Sequence, residues 1–261
     1  MTASDIHIGK NIATRGIARF DAAGHNWARR QLHAPVSVPM TPVVPAALII
    51  AVDGPAASGK GTIARALADR YGLPHLDTGK LYRATGLAMR IAGKSPDDAA
   101  AAAHAATALD PALLDDPELM SSENAQAASI VSAHPAVRAA LLAVQSAFAG
   151  QPGGAVLDGR DIGTVIAPGA TAKLFVTATP IIRAERRRAE LARAGDARDL
   201  VTVLADITAR DARDSGRITA PLIRAPDAAL LDTSELDIRS AIQRAISLVE
   251  TAIARGGQQQ A

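Results

Sequence analysis

The chain of 261 residues contains no cysteine. That excludes a disulfide scaffold, thiolate-held zinc or iron–sulfur sites, and a cysteine nucleophile. Aromatic residues make up only 2% of the chain, with one Trp, two Tyr and three Phe. So few rings leave little for stacking successive bases of a nucleic acid. No apolar run resembles a signal-peptide core or approaches the length of a membrane span. These absences together read as a soluble, cytoplasmic protein. Lysine is scarce beyond residue 46, where only Lys60, Lys80, Lys94 and Lys173 occur.

What is present first points the other way. The isoelectric point near 9.2 invites a nucleic-acid partner. The charge is unevenly placed, however. Residues 1–46 hold five basic residues (Lys10, Arg15, Arg19, Arg29, Arg30) against Asp5 and Asp21, a net +3. The remaining 23 basic and 24 acidic residues give −1. The basic character therefore belongs to the front segment, which lacks a sustained helical or strand period and ends in a stretch interrupted by Pro39, Pro42 and Pro45. It reads as a disordered extension, with residues 47–261 as the working domain and Met40 as an alternative start. Alanine supplies 59 residues. It favours helix while burying little area, so the expectation is a helix-rich α/β protein with a small aliphatic sheet core.

Leu48–Asp53 is an apolar run of strand length that leads into Gly54-Pro55-Ala56-Ala57-Ser58-Gly59-Lys60-Gly61-Thr62. Ile63 and Leu67 follow at helical spacing. Strand, glycine loop and helix are the context of a phosphate-binding P-loop. Its backbone N–H groups and the helix N-terminus suit a triphosphate. Lys60 can reach the outer phosphates, and a hydroxyl, here Thr62, can serve Mg²⁺ beside ATP. The general pattern has Ser or Thr directly after the lysine. Here Gly61 intervenes, and this Gly-Lys-Gly-Thr form resembles that of nucleoside monophosphate kinases rather than of GTPases or motor ATPases.

Three further clusters carry chemistry. Leu76–Arg83 reads as a short strand, an N-cap at Asp77 or Thr78, and a helix bearing Tyr82 and Arg83. A hydroxyl and a guanidinium one turn apart can bind a monophosphate. Asp158-Gly159-Arg160-Asp161 sets charges at the carboxyl end of a strand over Ala155–Leu157, where open α/β sheets bind ligands. Arg210, Arg213/Asp214 and Arg217 recur at three- and four-residue spacing, which predicts a shared helix face. Read alone, the first and last of these fit solvated helix surface as well as they fit a site.

With these segments in their order, the chain from Leu48 to the C-terminal helix resembles the bacterial cytidylate kinase (CMP kinase) family over about 200 residues. The resemblance implies a P-loop parallel sheet flanked by helices, a helical lid, and ATP-dependent phosphorylation of CMP, and of dCMP as well. It implies acceptor-phosphate contacts at Thr78, Arg83 and Arg160. It places the cytosine at Asp161 with Ser129 and Arg138, the ribose at Arg210 and Asp214, and Arg217 at the phosphates. Lys60, Arg160 and Arg217 then carry the catalysis, with no general base, because the acceptor is already an anion. A carboxylate and a guanidinium complement the cytosine edge, while uracil would turn a carbonyl toward Asp161.

Arg186–Arg188, facing a polar hinge over Gly195–Asp199, resembles the family's lid, with Arg187 toward ATP. Residues 94–128 depart from the long members: no alternating strand pattern is present, so the acceptor subdomain reads as abbreviated and helical. Asp115, Asp116 and Glu118 read as a solvated loop rather than metal ligands. Further strands are expected at Ala172–Thr177 and Ala229–Asp232, and a closing helix at Ile238–Ile253. A monomer is expected, since no long exposed apolar stripe is evident. The alternatives are a UMP or dTMP kinase and, in another class, a nucleic-acid-binding protein using the basic tail.

Overall fold

The computed structural model describes residues 47–259 except Ala194. The expectations for residues 1–46, including the alternative start at Met40, lie outside the described residues. Five strands form one all-parallel sheet: β1 (Ala47–Asp53), β2 (His75–Asp77), β3 (Gly153–Gly159), β4 (Ala172–Thr177) and β5 (Ala229–Asp232), in the spatial order β2-β3-β1-β4-β5. β4 and β5 have the predicted bounds. β2 and β3 begin earlier than the sequence pattern indicates.

β1 is central because its residues can be buried on both faces. Leu48, Ile50 and Val52 point to one side and pack with Ile63 and Leu67 of α1 (Lys60–Tyr71) and Ala245 and Val249 of α8 (Ile238–Gln259). Ala51 points to the other side, with Leu157, Ile162 and Ile166. This alternation is the two-residue period of a strand covered on both faces. The closing helix runs six residues beyond its predicted end at Ile253.

The segment between β2 and β3 is helical, and residues 94–128 form no strand, as expected. It comprises α2 (Thr78–Ile91), α3 (Ala99–Thr107), two 3₁₀ turns (Pro111–Asp115 and Pro117–Met120), α4 (Ser122–Val131) and α5 (Pro135–Ala149). Asp110 and Asp116 accept backbone N–H groups at the starts of the two turns, and Glu118 pairs with Arg90. Small residues let α2 and α4 approach closely: a Cβ on Gly86 would stand 2.9 Å from the backbone nitrogen of Ala128. Beyond β4, α6 (Pro180–Arg193) packs against α7 (Leu200–Ser215) through Ala184, Leu191, Val203 and Ile207. Among the described residues no single helix is long and apolar enough to cross a membrane.

Candidate active site

The sheet order puts the chemistry at one edge. Leaving β1 the chain passes to β2 on one side; leaving β3 it crosses β1 to reach β4. The crevice at the carboxyl ends of strands flanking such a reversal is where open α/β sheets take ligands. Gly54 leaves β1 at φ +156°, and a Cβ there would stand 2.0 Å from the carbonyl oxygen of Val176, so only glycine lets the loop turn against β4. Gly59 caps α1 in the left-handed region, and Lys60 opens the helix with its Nζ 3.4 Å from the Pro55 carbonyl oxygen. Burial, reinforced by the nearby Arg160, pulls the Lys60 ammonium down to about 8, against the pull of Asp158 and Asp77. Ser58 is fully buried and its Oγ has no partner. Asp53 ties this edge to the next loop by accepting the backbone N–H groups of Ile162 and Gly163, each at 2.8 Å.

Across the crevice lies an electrostatic cluster centred on Asp214. Its side chain has no exposed surface. Arg160 Nε donates to it at 2.8 Å, Arg217 donates to the other oxygen, and Arg210 Nε stands at 3.9 Å. Burial alone would push Asp214 up, but the three arginines outweigh it and hold the carboxyl at about 2. Arg210 is the least well matched of the three: burial and the neighbouring Arg160 lower it to about 9. The Nε atoms of Arg210 and Arg217 are buried without hydrogen-bond partners. Three cations around one carboxylate, with unused donors, form a cluster suited to anions.

A second ion pair flanks this cluster. Buried Arg138 donates to buried Asp161, and its guanidinium lies 5.4 Å from the centre of the Tyr82 ring. Ser129 is also buried and accepts from Arg213 Nε at 3.1 Å, while Arg217 donates to Ser132 Oγ at 2.9 Å. These contacts join α7 and the segment after it to α4.

A family model described as cytidylate kinase matches residues 50–251 of the chain. The chain belongs to the cytidylate kinase family. It is 60% identical over 203 residues to the cytidylate kinase of Xanthobacter autotrophicus, covering 78% of this chain and 97% of that protein. The cytidylate kinase of a Rhodopseudomonas palustris strain is 56% identical over 203 residues, 78% of this chain and 96% of that protein. That of a Bradyrhizobium species is 56% identical over 212 residues, 81% of this chain and 99% of that protein.

The loop Gly54–Thr62 with Lys60, Arg160, Arg210, Asp214 and Arg217 gathers at the one sheet edge, with Ser129, Arg138 and Asp161 alongside. The N-cap of α2 is Asp77, which accepts from Gly79 N–H. The Thr78 hydroxyl is buried and donates to the Asp158 carbonyl oxygen at 2.8 Å. Arg83 donates to the Leu119 carbonyl oxygen, and burial, with Arg187 nearby, lowers it to about 10.

Two expectations need correction. Arg217 does not share a helix face with Arg210: α7 ends at Ser215 with Gly216 at its C-cap, and Arg217 turns back to Asp214 from the following loop. Arg213 goes to Ser129 instead. The arginines of α6 do not face the Gly195–Asp199 stretch together either. Arg186 donates to Thr233, Arg187 pairs with Glu190, Arg188 is exposed, and Arg198 takes Asp196 and Asp206.

The sequence puts Asp158 in the charged cluster that ends β3 but gives it no role of its own. Asp158 is buried at the end of β3, and its Oδ2 lies 3.7 Å from where a Cβ on Gly61 would stand. Position 61, directly after the lysine, thus faces a carboxylate. Thr62 is exposed and sits about 100° further round the helix. A carboxylate oxygen and a hydroxyl at the start of α1 are hard oxygen donors of the kind Mg²⁺ takes, usually with several waters retained. The Asp158 oxygen at the start of α1 fits such a largely hydrated ion.

Proposed function

We propose that the protein transfers the terminal phosphoryl group of ATP to CMP, and to dCMP, giving CDP or dCDP and ADP. The observation that carries this reading is convergence. The phosphate loop, the arginine cluster around Asp214 and the buried Arg138–Asp161 pair meet at the carboxyl edge of one sheet. Residues 47–261 of a single chain are the working unit, since every group invoked comes from them.

The loop N–H groups, the start of α1 and Lys60 hold the donor phosphates, with Arg187 of α6 on the ATP side. Arg160, Arg210 and Arg217 are held together by the one carboxylate of Asp214, so they need little reorganisation to meet charge on the transferring group. Arg83 and Thr78 bound the acceptor-phosphate side. Asp161 and Arg138 read the cytosine edge, with Ser129 beside them, while Asp214 holds the arginines in place next to the ribose. Mg²⁺, when bound, neutralises the outer phosphates, and Asp158 with Thr62 would hold it. The acceptor oxygen is already anionic, so positioning and charge neutralisation suffice and no base is assigned.

The test is a coupled ADP-release assay with CMP, dCMP, UMP, dTMP and AMP as acceptors. Turnover with CMP and dCMP well above the others is expected. Equal rates with CMP and UMP would remove the base-reading role of Asp161, and activity confined to UMP or dTMP would replace the assignment.

A further inference from the structure

Asp158 is held from one side by a residue that the phosphate-transfer scheme does not use. His75 opens β2, and Asp77 two residues later faces the same side of the sheet. β2 pairs with β3 in parallel, with Asp77 opposite Asp158, so His75, Asp77 and Asp158 share that side. His75 Nε2 lies 2.8 Å from Asp158 Oδ1, and the two side chains are 16% and 3% exposed. A carboxylate accepts, so the ring nitrogen donates. The bond thus occupies one oxygen of Asp158, while the other, Oδ2, is the one toward Gly61.

The Asp158 side chain could rotate about its last bond and exchange its oxygens, or tilt toward Lys60. A ring fixed at the start of a strand removes that freedom. The backbone is pinned in parallel: the Asp158 carbonyl takes the Thr78 hydroxyl, and the Pro74 carbonyl takes the Val156 N–H at 2.9 Å. Both ends of the His75–Asp158 contact therefore stand on rigid main chain.

We propose that His75 is a positioning residue for the nucleotide-associated divalent cation, fixing Asp158 so that one carboxylate oxygen faces the start of α1. This rests on the assignment of Asp158 to the Mg²⁺ side of the site. Outer partners of this kind orient the groups that meet a metal, and their loss costs about 10–100-fold in metal affinity or activity.

The experiment measures binding of Mn²⁺ to the full-length protein in the presence of ADP by electron paramagnetic resonance. Binding of ADP alone in chelator is measured in parallel by calorimetry. His75→Leu fills the strand position but removes the donor, and His75→Gln places an amide nitrogen near the position of Nε2. Asp158→Asn reports on the underlying assignment. His75→Leu is expected to weaken Mn²⁺ retention about tenfold or more with metal-free ADP binding and the KM for CMP unchanged. His75→Gln is expected to restore most of it. The inference is overturned if His75→Leu holds Mn²⁺ as the parent does while Asp158→Asn does not. It is overturned equally if His75→Leu loses ADP binding with and without metal alike, which marks a packing role. If Asp158→Asn itself retains Mn²⁺ normally, the assignment of Asp158 fails, and the inference with it.

Discussion

Replacing Asp214 with asparagine removes one charge from the centre of the arginine cluster while keeping the side-chain shape. The carboxylate is fully buried and meets Arg160 at 2.8 Å, Arg210 at 3.9 Å, and Arg217. Its displacement from 3.8 to about 2 corresponds to roughly 2 kcal/mol in favour of the charged form. The substitution does more than forgo that amount, because three cations are left facing one another out of water. Removing one member of a buried ion pair typically costs ~3–5 kcal/mol. In a domain of this size each kcal/mol moves the melting temperature by roughly 2–4 °C. Asp214→Asn should then melt roughly 6–20 °C below the parent when no ligand is present. An added anion would replace the missing charge. Sulfate should therefore raise the melting temperature of the variant more than that of the parent at matched ionic strength, the parent correcting for sulfate's general stabilising effect. The pH dependence has a definite sign. The folded-state value lies below the unfolded one, so the stabilisation is present above about pH 4 and is lost as pH falls toward 2. The gap between parent and variant should close over that range. Differential scanning calorimetry in chloride and sulfate at several pH values measures all three effects. A variant that melts within about 2 °C of the parent at neutral pH, or that gains no more from sulfate, would refute the reasoning.

Lys60 is lowered to about 8 in the free protein, so its charge is present below that pH and lost above it. The kcat/KM for ATP should fall as pH rises through about 8, whereas at saturating ATP the bound phosphates shift that limb higher; a flat kcat/KM up to pH 9.5 contradicts this. Gly54→Ala should be strongly destabilised, because its Cβ would meet the Val176 carbonyl at 2.0 Å, while at Gly61 the nearest atom is 3.7 Å away and Gly61→Ala should fold normally. Thermal melts that rank the two variants equally would be inconsistent with the loop geometry. Asp161→Asn should lower the ratio of kcat/KM for CMP over UMP by about 100-fold or more, since sites built on buried hydrogen bonding discriminate by larger factors than apolar ones. An unchanged ratio assigns cytosine recognition elsewhere.

The parts of the site legible in the sequence are those in which one short segment carries the whole pattern. An apolar run entering Gly54–Thr62 requires nothing distant, and β4 and β5 are apolar runs with clear ends. β2 was harder to bound because His75 contributes to the sheet through its main chain, and its polar side chain carries no strand signal. Spacing also misled at Arg217. The interval from Arg210 and Asp214 continues a helical period, but Gly216 stops the helix, and the guanidinium reaches Asp214 from the loop. No local pattern joins Arg138 to Asp161, 23 residues apart, or Arg160 to Asp214, 54 apart. The family resemblance brings Arg138 and Asp161 together at the cytosine but sets Arg160 at the acceptor phosphate and Asp214 at the ribose, and only the fold shows that Asp214 is the common partner of three arginines. Asp158 and His75 form a third such pair, 83 residues apart, and their contact follows from the register of β2 against β3.

The strand order has a consequence for how the protein is made. β1 sits at the middle of the sheet, yet its first hydrogen-bonded neighbour is β3, which pairs Gly153 with Ala47 across 106 residues. At roughly 5–20 residues per second, a ribosome needs about 5–20 s to deliver that partner after β1 emerges. During that interval Leu48, Ile50 and Val52, all fully buried in the finished fold, have no sheet to enter. The strand that begins the phosphate loop is therefore the segment most in need of protection on the nascent chain, and mistakes in its pairing would arise during synthesis rather than in the completed enzyme.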